Sequence, residues 1–138
     1  MDRQKLLETQ MWAREELERS VNFWLEHGMD KENGGVYTCL DRRGEIYSTD
    51  KSVWMQGRCG WLYAFLCHTY GTRLEWLEAS RSCLDFMEAH CFNHEAGDRM
   101  YFTVTAGENP CASGGTTSPR RSAPLPTLNI ISELKARK

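Results

Sequence analysis

The sequence predicts a mainly α-helical fold made of repeated helix pairs, with short β-hairpins set between the helices. Three observations carry this. Apolar residues recur at helical spacing over three long stretches. Glycine-containing turn chemistry follows each stretch. The chain also matches itself under a shift that lays Asp30 over Asn93, helix on helix and turn on turn.

The first stretch covers 3–27. It places Leu17, Val21, Trp24 and Leu25 on one stripe and charges on the opposite side. Gly28 is a suitable stop. Residues 30–35 read Asp-Lys-Glu-Asn-Gly-Gly, in which Asn and Gly tolerate the positive φ of a turn. Residues 36–40 then read as a strand, 41–44 as a turn and 45–47 as the returning strand. A second helix is predicted from Thr49 or Asp50, either of which can cap it, to Tyr70, with Gly71 as its end. A third covers 74–91, with Trp76, Leu77, Leu84, Met87 and Cys91 inward. Residues 93–98 are another polar turn and 100–105 another strand.

Under the internal shift Glu32 meets Glu95, Gly34 meets Gly97, Gly44 meets Gly107 and Glu45 meets Glu108. Upstream, Phe23 meets Phe86 and His27 meets His90. Repeated helix pairs imply a stack or ring in which each pair buries its apolar face on the next. A closed six-pair ring at this period takes roughly 380 residues. The 138 residues of this chain hold two copies of the repeat, too few to close one.

Composition narrows the class. With 41% hydrophobic and 26% charged residues, the chain is globular, neither disordered nor collagen-like. A net charge of −2 supplies no basic field for nucleic acid or an anionic membrane. No apolar run approaches the ~20 residues of a membrane span. Residues 1–5 lack the apolar stretch of a signal peptide, so a cytoplasmic location is expected. The six cysteines (Cys39, Cys59, Cys67, Cys83, Cys91, Cys111) are then expected as reduced thiols. None has C-x-x-C spacing and no phosphate-binding glycine loop occurs, so neither a metal nor another cofactor is expected.

The most informative segment is 50–61. Trp54, Arg58 and Trp61 are spaced i, i+4, i+7 and share one helical face, with Gln56 between them. Aromatics around a cation suit a polar ring such as a sugar. The same spacing also suits core packing with a snorkelling arginine.

The strings Phe23-Trp24-Leu25-Glu26-His27, Asn33-Gly34-Gly35, Asp41-Arg42-Arg43-Gly44 and Asp50-Lys51, then Trp54-Met55-Gln56-Gly57-Arg58, resemble the N-terminal part of the N-acylglucosamine 2-epimerase family. The similarity covers about residues 8–109 and includes Arg99-Met100-Tyr101-Phe102-Thr103-Val104-Thr105. The resemblance implies an (α/α)6 barrel, here an incomplete N-terminal portion. It implies a sugar isomerase that epimerises C2 of an (N-acyl)hexosamine or related sugar by removing and returning a proton. It implies a small-molecule sugar as partner, with homodimers among full-length relatives. Arg58 matches the arginine that contacts the sugar and its developing oxyanion. Trp54 and Gln56 match positions near the pocket wall, and Tyr37 and Tyr101 lie on strands approaching the barrel mouth.

The family's acid and base are two histidines in later helix pairs. The four histidines here, His27, His68, His90 and His94, match neither. His27 and His90 fall at equivalent helix ends, where an imidazole can meet free carbonyls. His68 is near a helix end and His94 in a turn. The catalytic histidines are therefore expected to be absent. The alternatives to a sugar epimerase are a non-catalytic helical-repeat module that binds a sugar or protein, and an inactive fragment.

Residues 1–110 read as the barrel portion and 111–138 as a divergent tail, expected to be disordered. Within the tail only 128–136 carries apolar residues at helical spacing, Leu128, Ile131 and Leu134. Back-translated with one choice of codons, given a leading C and read one base earlier, 111–122 becomes Leu-Arg-Gln-Arg-Arg-Tyr-Tyr-Phe-Ser-Glu-Thr-Phe. That string is similar to the arginine- and tyrosine-containing stretch that follows this strand in the family. A reading-frame slip, a truncation or a natural short form would each give such a tail, and sequencing the encoding DNA separates them.

Overall fold

The computed structural model describes residues 2–95, 97 and 99–105. Helix α1 (Arg3–Phe23) begins where the Asp2 carboxylate accepts the Gln4 N–H at 3.2 Å, a side-chain cap on a free first-turn donor. It runs into a π-helical turn, Trp24–Gly28. Gly28 is there for space: a Cβ would stand 2.5 Å from the Trp24 ring. The loop that follows turns on Gly34 and Gly35, at φ +79° and +73°, the left-handed region glycine favours. A Cβ on Gly35 would also stand 2.6 Å from Gln56 Oε1.

The predicted first hairpin is present but shorter. Strand β1 (Cys39–Leu40) pairs antiparallel with β2 (Ile46–Ser48), while Val36 forms only an isolated bridge to Met29. The second helix also starts later than expected. Residues 50–52 form a strand, β3 (Asp50–Ser52), paired antiparallel with β6 (Thr103–Thr105). Helix α2 (Val53–Tyr70) follows it, and Gly71 ends it at φ +97°. Its first N–H, on Val53, donates to Phe102 O at 3.0 Å, so a distant carbonyl does what the predicted Thr49 or Asp50 cap was to do.

Helix α3 (Leu74–His90) returns alongside α2 and leads into β4 (Phe92–Asn93), which pairs with β5 (Arg99–Met100). The predicted strand over 100–105 is thus two strands serving different partners, broken at residues 101 and 102.

Two apolar clusters hold these elements. Val21, Tyr63, Leu66, Cys67, Trp76 and Ala79 join α1, α2 and α3, with Leu17 and Leu25 packed against them. The Tyr63 hydroxyl donates to Val21 O at 3.1 Å. Val53, Phe86, Met87, Cys91, Met100 and Val104 form the second cluster under the strands. The helices of the α2–α3 hairpin come close at Gly60, where a Cβ would meet Cys83 Cβ at 3.4 Å and Ser80 Oγ donates to Gly60 O at 2.7 Å.

The internal repeat is visible in side chains. Phe23 and His27 rings lie 5.1 Å apart at 50°, and Phe86 and His90 rings 5.0 Å apart at 49°. Each imidazole at a helix end therefore rests on the phenylalanine one turn earlier, where a carbonyl partner was expected. Cys39, Cys59, Cys67, Cys83 and Cys91 are free thiols, the last three buried. The tail at 111–138, with Cys111, lies outside the described residues.

Candidate functional site

Helix α2 is apolar nearly all round, which marks a helix meant to have neighbours on more than one side. Toward α3 it presents Gln56, Gly57, Gly60, Ala64 and Cys67, all buried. Away from α3 runs a stripe of Trp54, Arg58, Trp61 and Phe65, all exposed. Trp54 is 70% exposed. The Arg58 guanidinium carbon lies 4.3 Å from the centre of the Trp54 ring, a cation–π pair. One turn on, the Trp61 and Phe65 rings stack at 5.1 Å and 16°. Sequence spacing found the first three residues and missed Phe65, which continues the same stripe at i+11.

This arrangement offers a fixed, always-charged donor fork beside two flat apolar surfaces. A guanidinium held this way is suited to the oxygens of a polar ring or to an oxyanion. Ring faces suit the C–H faces of a sugar.

Behind the stripe lies a buried polar network that sequence reasoning left unread. Lys51, 0% exposed, places its ammonium 2.7 Å from Asp30 Oδ2 and 2.6 Å from Gly34 O. It also lies over the Phe86 ring at 4.3 Å and the Tyr37 ring at 4.9 Å. Asp30 Oδ1 accepts the backbone N–H groups of Glu32 at 3.0 Å and Asn33 at 2.9 Å. Burial alone would raise the Asp30 pKa, but the Asn33 N–H, the Lys51 ammonium and the Tyr37 hydroxyl outweigh it and bring it down to about 2. Burial, and then the Asp30 carboxylate beside it, pushes the Tyr37 phenol up to about 12. No local signal announced this pair, since the acid that the buried lysine needs lies at position 30.

Gln56 requires a correction. The resemblance sets it near the pocket wall, but its side chain is completely buried. Its Oε1 accepts the Val36 N–H at 2.8 Å and its Nε2 donates to Val36 O at 2.7 Å. The amide imitates a strand neighbour for Val36 and ties the 30–37 loop to the helix. Trp54 and Arg58 are thus brought together, whereas Gln56 and Tyr37 belong to the network on the loop side. Tyr101 is half-buried against the Val53, Phe86 and Met87 cluster.

The histidines are spread out. His27 and His90 rest on phenylalanines, His94 faces Phe92 with ring centres 6.4 Å apart, and His68 is exposed near the end of α2. Among the described residues no group of three His, Cys, Asp or Glu side chains is placed to hold a metal. Among the same residues no helix is long and apolar enough to cross a membrane.

Similar proteins bear on this site. A sugar epimerase from a ruminal bacterium superposes on 65% of the chain with a TM-score of 0.57 at 28% identity, using 23% of its own length. The cellobiose 2-epimerase of Spirochaeta thermophila superposes on 94% of the chain with a TM-score of 0.61 at 19% identity, using 37% of its own. The fold is that of the (α/α)6-barrel epimerases, present as a partial barrel. The sequence profile of the N-acylglucosamine 2-epimerase family matches residues 35–114. The mouse N-acylglucosamine 2-epimerase is 36% identical over 106 residues, which are 73% of this chain and 25% of the mouse protein. The human N-acylglucosamine 2-epimerase is 36% identical over 115 residues, 79% of this chain and 27% of the human protein. The chain belongs to the N-acylglucosamine 2-epimerase family. It spans about a quarter of the length of the curated relatives it matches.

Proposed function

We propose that this chain is the N-terminal part of a carbohydrate 2-epimerase, and that it supplies the substrate and oxyanion contact, not the acid and base. The observation that carries this reading is the Arg58 guanidinium seated on Trp54 within an open aromatic stripe. The substrate is an (N-acyl)hexosamine or related sugar in its open-chain form. A base removes the proton from C2, and the C–H electrons move to the adjacent carbonyl oxygen. Arg58 donates to that oxygen as its charge grows, in a site where a fixed donor needs no reorganisation. Returning the proton to the opposite face of C2 inverts that centre.

Trp54 and Tyr37, with Tyr101 nearer the barrel mouth, shape the wall, and Gln56 supports it from behind through Val36. The acid and base are histidines of later helix pairs. The positions of His27, His90 and His94 support this, since none is on α2; His68 shares the stripe's face but lies ten residues, about 15 Å, along the helix from Arg58. The chain alone then acts as a binding module without turnover.

The test is epimerase activity between N-acetylglucosamine and N-acetylmannosamine. It uses the purified chain and a version with the reading frame restored after residue 110. The chain alone should be inactive and the restored protein active. In the restored protein Arg58→Ala should cost about 10²–10³-fold in kcat. Near-normal turnover by that variant would demote Arg58 to packing, and turnover by the short chain would place the proton transfer within it.

A further inference from the structure

A small cavity opens between α1 and the start of α3, at the end of α2 remote from Arg58. It has a volume of about 80 Å³, room for a small polyatomic ion but not for a sugar ring. Its polar lining is Arg14, Glu18, Asn22, Tyr70, Arg73 and Trp76. Its floor is the first apolar cluster, through Leu17, Val21 and Leu66.

Two independent observations point to an anion there. The first is Trp76, which is 5% exposed and whose Nε1–H has no hydrogen-bond partner. A buried donor left unpaired is uncommon, because it has lost water and gained nothing. The second is the charge around it. Arg73 lies over the Trp76 ring at 4.3 Å, and Arg14 lines the same space from α1. Glu18 offsets one of these two charges, so the lining remains net positive. Arg73 is also the N-cap of α3, which has no side-chain cap; its first turn carries the acidic Glu75, so the positive charge at the rim comes from the two arginines and not from the helix end.

We propose that this cavity binds an oxyanion group, a carboxylate or a phosphate, through Arg14, Arg73 and the Trp76 indole. The two guanidiniums supply forked donors of the kind that match such groups. The indole N–H, which lacks an acceptor, is the neutral donor of the set. The site lies about 12–18 Å along α2 from Arg58, at Leu66 and Tyr70, so its occupant is not the sugar proposed to lie at Arg58. It joins α1 to the α2–α3 connection, and an ion bound there would stiffen that junction.

The test uses the whole chain labelled with nitrogen-15 and titrated with inorganic phosphate or with acetate, against sodium chloride at matched ionic strength. The Trp76 indole resonance is identified by its absence from Trp76→Phe, or by direct assignment in the parent chain. It should shift saturably with at least one of the two anions and not with chloride. Saturation by phosphate alone identifies a phosphate-bearing ligand; saturation by acetate, alone or together with phosphate, identifies the carboxylate. Arg14→Gln and Arg73→Gln should each weaken binding by tenfold or more. A Trp76 indole that responds to neither anion, or to chloride equally, overturns the proposal. So does either variant binding as tightly as the parent.

Discussion

The two sides of α2 are built on opposite plans. Toward α3 the helix is small and committed: Gly57, Gly60 and Ala64 let the neighbour approach, and Gln56 spends its amide on Val36. Away from α3 it is large and more open: Arg58 lies on Trp54, Trp61 stacks on Phe65, and all four reach solvent. The first side decides where the second side points. Stability should therefore respond to changes on the loop side and be nearly blind to changes on the stripe, whereas ligand chemistry should do the reverse.

The strongest way to break this contrast is Lys51→Met. It strands the Asp30 carboxylate in a buried site without its cation, which costs about 3–5 kcal/mol. Urea unfolding monitored by circular dichroism reads the loss. A change under 1 kcal/mol would mean that the network does not anchor the start of α2. Acid is a gentler probe of the same pair. Asp30 titrates near 3.8 when unfolded and about 2 in the fold, so its contribution is complete above the unfolded value and is lost as pH falls through the folded one. Between pH 4 and pH 2 the chain should lose about 2 kcal/mol on this account, and Asp30→Asn should remove that part of the slope. The smallest effect belongs to the stripe. Trp54→Ala should change stability by less than about 0.5 kcal/mol, because so much of that ring already faces solvent. A larger loss would mean that the stripe is part of the core after all.

Local chemistry was legible in the sequence and remote pairing was not. Gly28 and Gly71 marked their helix ends, and Gly34 and Gly35 announced positive φ, because each acts within its own turn. The Phe23/Phe86 and His27/His90 equivalence was readable because a repeat copies its contacts. The start of α2 was misread because Thr103–Thr105 captures residues 50–52, and no local signal announces a partner that far along the chain. Lys51 escaped for the same reason: its acid lies at position 30, across a loop. Of the site, Trp54 and Arg58 were read as neighbours and are in contact, since helical spacing alone brings them together. Gln56 was read toward the ligand side, but the backbone groups of Val36 claim it.

The β3–β6 ladder sets an order of assembly. It closes a loop of about fifty residues, and such a closure is entropically unfavourable until the chain between is already compact. The α2–α3 hairpin must form first and bring Thr103 and Ser52 within reach. Lys51 sits in the middle rung, opposite Val104, so its burial waits on that last step. Peeling β6 away would let water reach the Lys51–Asp30 pair before either helix melts. Amide exchange should then find the Val104 N–H among the earlier ones to open, and the α2 amides near Gly60 among the last.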